Sequence, residues 1–169
     1  MVVLPVSEYL KALNHLLQRA HEWELVSYIL CHLPEQLSNK HFACGPRAAQ
    51  QIHTLRQMLC AGLRGGEQSF LGEVPLPAGL KRAEVHAAAY LCLTSLIAYR
   101  SLFTKPQQDD MVDTFMYGLG NPRDTAKVCI HALAMSSFEL RPSMRKHLAE
   151  IVRHLQKIIS SATLGVHIL

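Results

Sequence analysis

The sequence is poor in the features that most biochemical classes require. Charged residues make up 18% of the 169 positions, aromatic residues 7%, and tryptophan occurs once. With 49% apolar residues beside so little charge, the composition argues against disorder, and it leaves part of the surface to be covered by something outside this chain. The net charge is only +4, and the arms rich in Arg and Lys that phosphate binding needs are missing, so no nucleic-acid partner is expected. There is no Walker loop, dinucleotide glycine fingerprint, HExxH or GxSxG. The cysteines, Cys31, Cys44, Cys60, Cys92 and Cys129, are odd in number and form no CxxC. That usage suits reduced, buried thiols in a cytosolic protein rather than a disulfide framework. The opening MVVLPVSEYLK has neither a basic n-region nor a long apolar run, so no signal peptide is expected. The uncharged stretch Val85–Tyr99 falls short of the ~20 residues that a bilayer span needs, and reads as a buried helix.

What is present is helix after helix. Pro5, Pro34, Pro46, Pro106, Pro122 and Pro142 each sit just ahead of, or at the start of, an apolar-periodic segment. Proline is tolerated there because the first-turn N–H has no intrahelical partner to lose. On this reading no proline falls inside a helix, and Pro34 begins a short turn or helical piece through Asn39. The first helix is expected over Pro5–Arg19, with Leu10, Leu13, Leu16 and Leu17 on one face. A second, over Glu22–Leu33, carries Trp23, Val26, Ile29 and Leu30, and the short break predicts an antiparallel hairpin. Pro46–Leu63 follows, striped by Ile52, Leu55, Leu59 and Leu63 and stopped by Gly65 and Gly66.

Residues 65–79 (GGEQSFLGEVPLPAG) form the one long irregular segment, with Phe70, Leu71, Val74 and Leu76 as apolar anchors. Arg82–Leu102 is apolar nearly all round and so should be covered on several sides. Asp109, Asp110 and Asp113 are expected to open the next helix, where negative charge complements the macrodipole. Its face is Met111, Val112, Phe115, Met116 and Leu119. A mostly buried helix runs from Pro122 through Met135. The last full helix, Pro142–Ser161, is the cleanest amphipath, with Leu148, Ile151, Val152, Leu155, Ile158 and Ile159 on one side. Ala162–Leu169 (ATLGVHIL) reads as a further apolar segment that stops without a cap, as though cut from a longer array.

Hairpins recurring about every 35–50 residues approach the period of HEAT-like repeats. The fold class is therefore all-α: a right-handed α-solenoid of HEAT-like hairpins, roughly seven to eight helices in a single domain over residues 1–169. Strict self-similarity between the hairpins is absent, so the repeat reading rests on architecture.

Ten histidines make a metal site worth weighing. Cys31, His32, His41 and Cys44 are the best cluster, but Cys31 and His32 point about 100° apart on a helix, and the spacing fits no common zinc finger. His147 and His154, seven apart, read as a solvated face. Cys129 and His131 cannot pair as nucleophile and base, because residues two apart on a helix face away from each other. Neither a metal nor a cofactor is expected. The strongest electrostatic feature is the basic side of the last helix. Arg141, Arg145, Lys146, Arg153 and Lys157 against Glu150 carry a local excess equal to the net charge of the whole chain. Its bland reading is a solvated face; its functional one makes Arg145, Lys146, Arg153 and Lys157 a partner-binding face.

The stretch YLKALNHLLQRAHEWELVSYILCHLPEQLSNK (9–40) resembles the helical-repeat region of the tuberin family. GLKRAEV (79–85), MVDTFMYGLG (111–120), CIHAL (129–133) and VHIL (166–169) are similar to later pieces in the same order. The resemblance implies a solenoid that scaffolds a complex with a hamartin-like subunit, cytoplasmic and peripheral on endomembranes. It also implies a separate GTPase-activating domain, outside this chain, that acts on Rheb and restrains TOR signalling. No catalytic residue carries over, and the chain is expected not to be an enzyme. The alternatives are a small metal- or thiol-dependent enzyme and a nucleic-acid or membrane-surface helical module.

Overall fold

A computed structural model describes residues 5–19, 23–39, 45–65, 82–120 and 123–167. These form seven long helices and one four-residue piece, with no strand among the described residues: α1 Val6–Arg19, α2 Trp23–Leu37, α3 Pro46–Leu63, α4 Arg82–Ser95, α5 Lys105–Leu119, α6 Arg123–Glu139, α7 Arg141–Met144 and α8 Leu148–His167. The expected loop beyond Gly65, the side chain of Trp23, and both His41 and Cys44 lie outside the described residues.

Helices pack in two alternating rows. α1 lies on α3 and α3 on α5, while α2 lies on α4 and α4 on α6; α3 against α4 and α5 against α6 join the rows. The stripes read from the sequence supply most of the filling. Ile52, Leu55, Leu59 and Leu63 of α3, and Met111, Val112, Phe115, Met116 and Leu119 of α5, are all buried. Each such side chain contributes about 1.5–3 kcal/mol of hydrophobic stabilisation. As expected from its all-round apolarity, α4 touches α2, α3 and α6. The stripe of α1 is narrower than expected, since Leu10 and Leu17 are buried but Leu16 is exposed.

The expected antiparallel α1–α2 pair is loosely packed. Both helices pack chiefly on the next member of their own row, and α1 meets α2 more sparsely. The Tyr9 hydroxyl donates to Gln36 Oε1 at 2.9 Å, joining the start of α1 to the end of α2. A groove of about 230 Å³ opens between them, lined by Tyr9, Leu13, Tyr28 and His32.

Pro34 lies inside α2 rather than ahead of a new piece. A helical proline leaves the carbonyl four residues earlier without its N–H. Here that carbonyl belongs to Leu30, and it accepts from the Cys92 thiol of α4 at 3.1 Å. The carbonyl of Leu37, the last residue of α2, accepts from the Tyr99 hydroxyl at 2.8 Å. Tyr99 reaches it because α4 does not run to Leu102 as one helix. It ends at Ser95 and tightens into a 3-10 segment, Leu96–Leu102, with Tyr99 itself off helical geometry at φ −101°, ψ 16°.

α5 begins at Lys105, four residues before Asp109, on a capping box formed by Thr104 and Gln107. The three aspartates therefore lie beyond its first turn. Gly118 marks a close approach of α5 to both α4 and α6. A Cβ built there would stand 2.4 Å from Cys129 Sγ of α6 and 2.4 Å from Tyr90 Cζ of α4. Only glycine lets α5 sit that close to both.

The expected helix over Pro142–Ser161 is broken: α7 is followed by a 3-10 turn, Arg145–His147, and only then by α8. No new element starts at Ala162 either, because α8 runs through it to His167.

Candidate interaction surface

α8 packs mainly on the 3-10 turn at its own root, and among its described side chains Ile151 is the one apolar residue packed against the core. The rest of its stripe faces solvent. Leu148, Val152, Leu155, Ile158 and Ile159 are between 38% and 65% exposed. Apolar residues spaced by three and four, arranged this way, cost free energy in water and mark a binding surface rather than scattered exposure. Elsewhere, exposed apolar residues stand on separate helices: Leu16, Tyr28, Leu91 and Tyr117. On α6, against the expectation of a mostly buried helix, Met135 is exposed and Phe138 is 72% exposed. They lie at the end of α6 where Met135 and Glu139 line a hollow of about 590 Å³ with Ile97, Arg100 and Leu102. An Arg100–Glu139 ion pair of 2.6 Å crosses it.

A charged cluster holds the root of α8. The Asp113 carboxylate accepts from His147 Nε2 at 2.6 Å and pairs with Lys146 Nζ at 2.9 Å. Burial raises the Asp113 carboxyl, but hydrogen bonds from Lys146 and His147 outweigh it and hold the group below its ordinary value. Glu150 lies 3.9 Å from His147 Nδ1 and 3.8 Å from His154 Nε2. The histidines read from the sequence as a solvated pair are thus half-buried, and His147 is a strut between α8 and α5.

The aspartates also differ from their expected role. Asp109 pairs with Lys105, and that hydrogen bond holds its carboxyl below the ordinary value. Asp110 binds Arg56 at 2.7 Å and Arg64 at 2.6 Å. Arg56 is buried and also lies over the Phe103 ring, 5.8 Å from its centroid. Nothing local to Arg56 signals a buried cation, because its anion is 54 positions away. These three carboxylates point to three different partner sets and tie α3, α5 and the α8 root together.

Among the four basic candidates, Lys146 is drawn to Asp113, whereas Arg145, Arg153 and Lys157 are exposed. Arg153 and Lys157 stand one turn apart on the side of α8 opposite the apolar stripe. The thiols divide as well. Cys60, Cys92 and Cys129 are buried, but Cys31 is exposed, contrary to expectation. Burial pushes Cys60 up to about 11 and Cys129 up to about 12, and raises Cys92 too. Groups so shifted are thiols at neutral pH, poor nucleophiles and serviceable donors. Among the described residues no three His, Cys, Asp or Glu side chains gather as metal ligands. Nor, among them, is any helix long and apolar enough to cross a membrane.

With that geometry in place, the sequence signature described as Tuberin matches residues 1–169. The chain belongs to the tuberin family. It is similar to the Tuberous sclerosis 2 protein homolog of Schizosaccharomyces pombe, 27% identical over 168 residues. That match covers 99% of this chain but only 12% of the yeast relative, so this tuberin-family chain spans about an eighth of that protein's length. No solved structure matches.

Proposed function

We propose that this tuberin-family chain is a non-catalytic scaffold segment of a GTPase-activator subunit. Its two rows of helices are read as part of a right-handed, HEAT-like α-solenoid in which each helix buries one face on its row neighbour. The observation that carries this reading is the exposed apolar stripe of α8, a ready-made contact surface attached to an otherwise filled core. The activator domain that acts on a Rheb-type GTPase and restrains TOR signalling lies outside this chain. A hamartin-like subunit is the proposed partner, and cytoplasmic complexes at endomembranes are the proposed setting.

Arg145, Arg153 and Lys157, with Lys146 at the root, remain the proposed contact face for acidic groups of that partner. Exposed cations of this kind act mainly on association rate and on salt dependence. The double variant Arg153→Glu and Lys157→Glu, made in the full-length protein, should weaken co-purification with the hamartin-like subunit and leave thermal unfolding unchanged. Undiminished co-purification would remove the basic face from the proposal.

A further inference from the structure

Imidazoles and carboxylates meet at the root of α8, where the turn Arg145–His147 leads into that helix. His147 stands between carboxylates of two different helices. Its Nε2 lies 2.6 Å from Asp113 Oδ1 of α5, and its Nδ1 lies 3.9 Å from Glu150 Oε2 in the first turn of α8. The His147 side chain is only 15% exposed, so water offers the ring little in place of these partners. A neutral imidazole has one N–H. The short contact assigns it to Nε2, which leaves the Nδ1 lone pair facing the Glu150 carboxylate. Only the protonated ring presents an N–H to both carboxylates.

Charge points the same way. Asp113 and Glu150 bring two negative charges, and Lys146, with Nζ 2.9 Å from Asp113, brings one positive charge. With the imidazoles neutral, this group is one positive charge short. His154 Nε2 also borders Glu150, at 3.8 Å, but both residues belong to α8, so a proton there would not tie that helix to α5. Asp109, the neighbouring carboxylate of α5, is already matched by Lys105. Arg141, Arg145 and Arg153 are exposed to solvent, where their charge is screened.

We propose that His147 is a pH-dependent latch: its protonated ring bridges Asp113 and Glu150 and fixes the root of α8 to α5, and loss of that proton loosens the root. The latch has leverage because, among the described residues, α8 rests mainly on the turn at its own root. The attitude of the whole helix therefore depends on few contacts. Proton linkage gives the sign. A proton that completes the bridge is bound by the closed root in preference to the open one. Closure therefore strengthens as pH falls through the imidazole range, about 8 to 5, and weakens as pH rises through it. Asp113 stays ionised in that window, since burial raises its carboxyl but hydrogen bonds from Lys146 and His147 outweigh the burial and hold it below the ordinary value. The latch governs how α8 is held, whatever partner binds it.

The test is hydrogen exchange on the chain at about pH 5.5 and about pH 8, expressed as protection relative to the intrinsic amide rate at each pH. Amides of residues 148–151 should be roughly threefold better protected at the lower pH, within the range that partly exposed ion pairs supply. Amides of residues 111–119 in α5 report in the same sample that the core is folded. His147→Gln keeps an N–H for Asp113 but cannot take up a proton, and should abolish the pH effect at the root while leaving α5 protected. His154→Gln should leave the effect in place. Equal root protection at the two pH values in the unmodified chain would overturn the proposal, and so would a pH effect that survives His147→Gln. Loss of the effect in His154→Gln would assign the proton to the wrong imidazole and overturn it as well. Should His147→Gln fail to fold, Glu150→Gln removes the second carboxylate from a half-exposed side chain; an undiminished pH effect in that variant would be equally fatal.

Discussion

α5 and α8 are read from the sequence in the same way, and the structure treats them in opposite ways. Both carry apolar residues at helical spacing, and α8 is the more cleanly segregated of the two. Yet the stripe of α5 is buried from Met111 to Leu119, while most of the stripe of α8 stands in solvent. Periodicity tells which side of a helix needs cover. It says nothing about whether the cover comes from the same 169 residues. α5 finds it in α3 and α6, whereas among the described residues α8 finds mainly the turn at its root and, through Ile151, the edge of the core.

Core substitutions should separate the two regions most sharply. Phe115→Ala removes a fully buried ring and should cost about 3–5 kcal/mol in denaturant unfolding. A cost below 1 kcal/mol would mean that α5 is not the packed centre described. Gly118→Ala comes next. The added methyl meets Tyr90 and Cys129 at impossible distances, and relieving the overlap should cost about 1–3 kcal/mol. A neutral Gly118→Ala would show that α4, α5 and α6 are looser than drawn.

Cys92 tests a finer feature of the same core. Cys92→Ala strips the Leu30 carbonyl of its donor, a loss of about 1–3 kcal/mol for a buried group left unpaired. Cys92→Ser restores a donor and should recover part of that loss; equal loss in both variants would show that packing, not the hydrogen bond, matters at this position. The smallest effect belongs to α8. Val152→Ser in this chain alone should change stability by no more than about 0.5 kcal/mol, the range of ordinary surface substitutions. A core-sized penalty there would mean that the stripe is already covered.

Much of the fold was legible for a local reason. α3 and α5 announce themselves through stripes, a proline at the start and a glycine at the end, all readable within one helix. The errors share the opposite cause. Pro34 reads as a helix stop until Cys92, 58 positions later in the sequence, is seen to satisfy the carbonyl it frees. Arg56 carries no local sign of Asp110, the anion that the fold brings to it, and the aspartates read as a helix start although the capping box lies earlier, at Thr104 and Gln107. The candidate surface was half legible. The apolar and basic sides of α8 are plain in the sequence, but the Asp113–His147 strut and the exposure of Phe138 follow only from the packing of distant helices.

Hydrogen exchange on the 169-residue chain tests the central contrast most directly, since amide protection reports the local free energy of opening. Amides of residues 152–162 in α8 should exchange far faster than those of residues 111–119 in α5. Equal protection in the two helices would contradict the account, because it would show that α8 already has its cover.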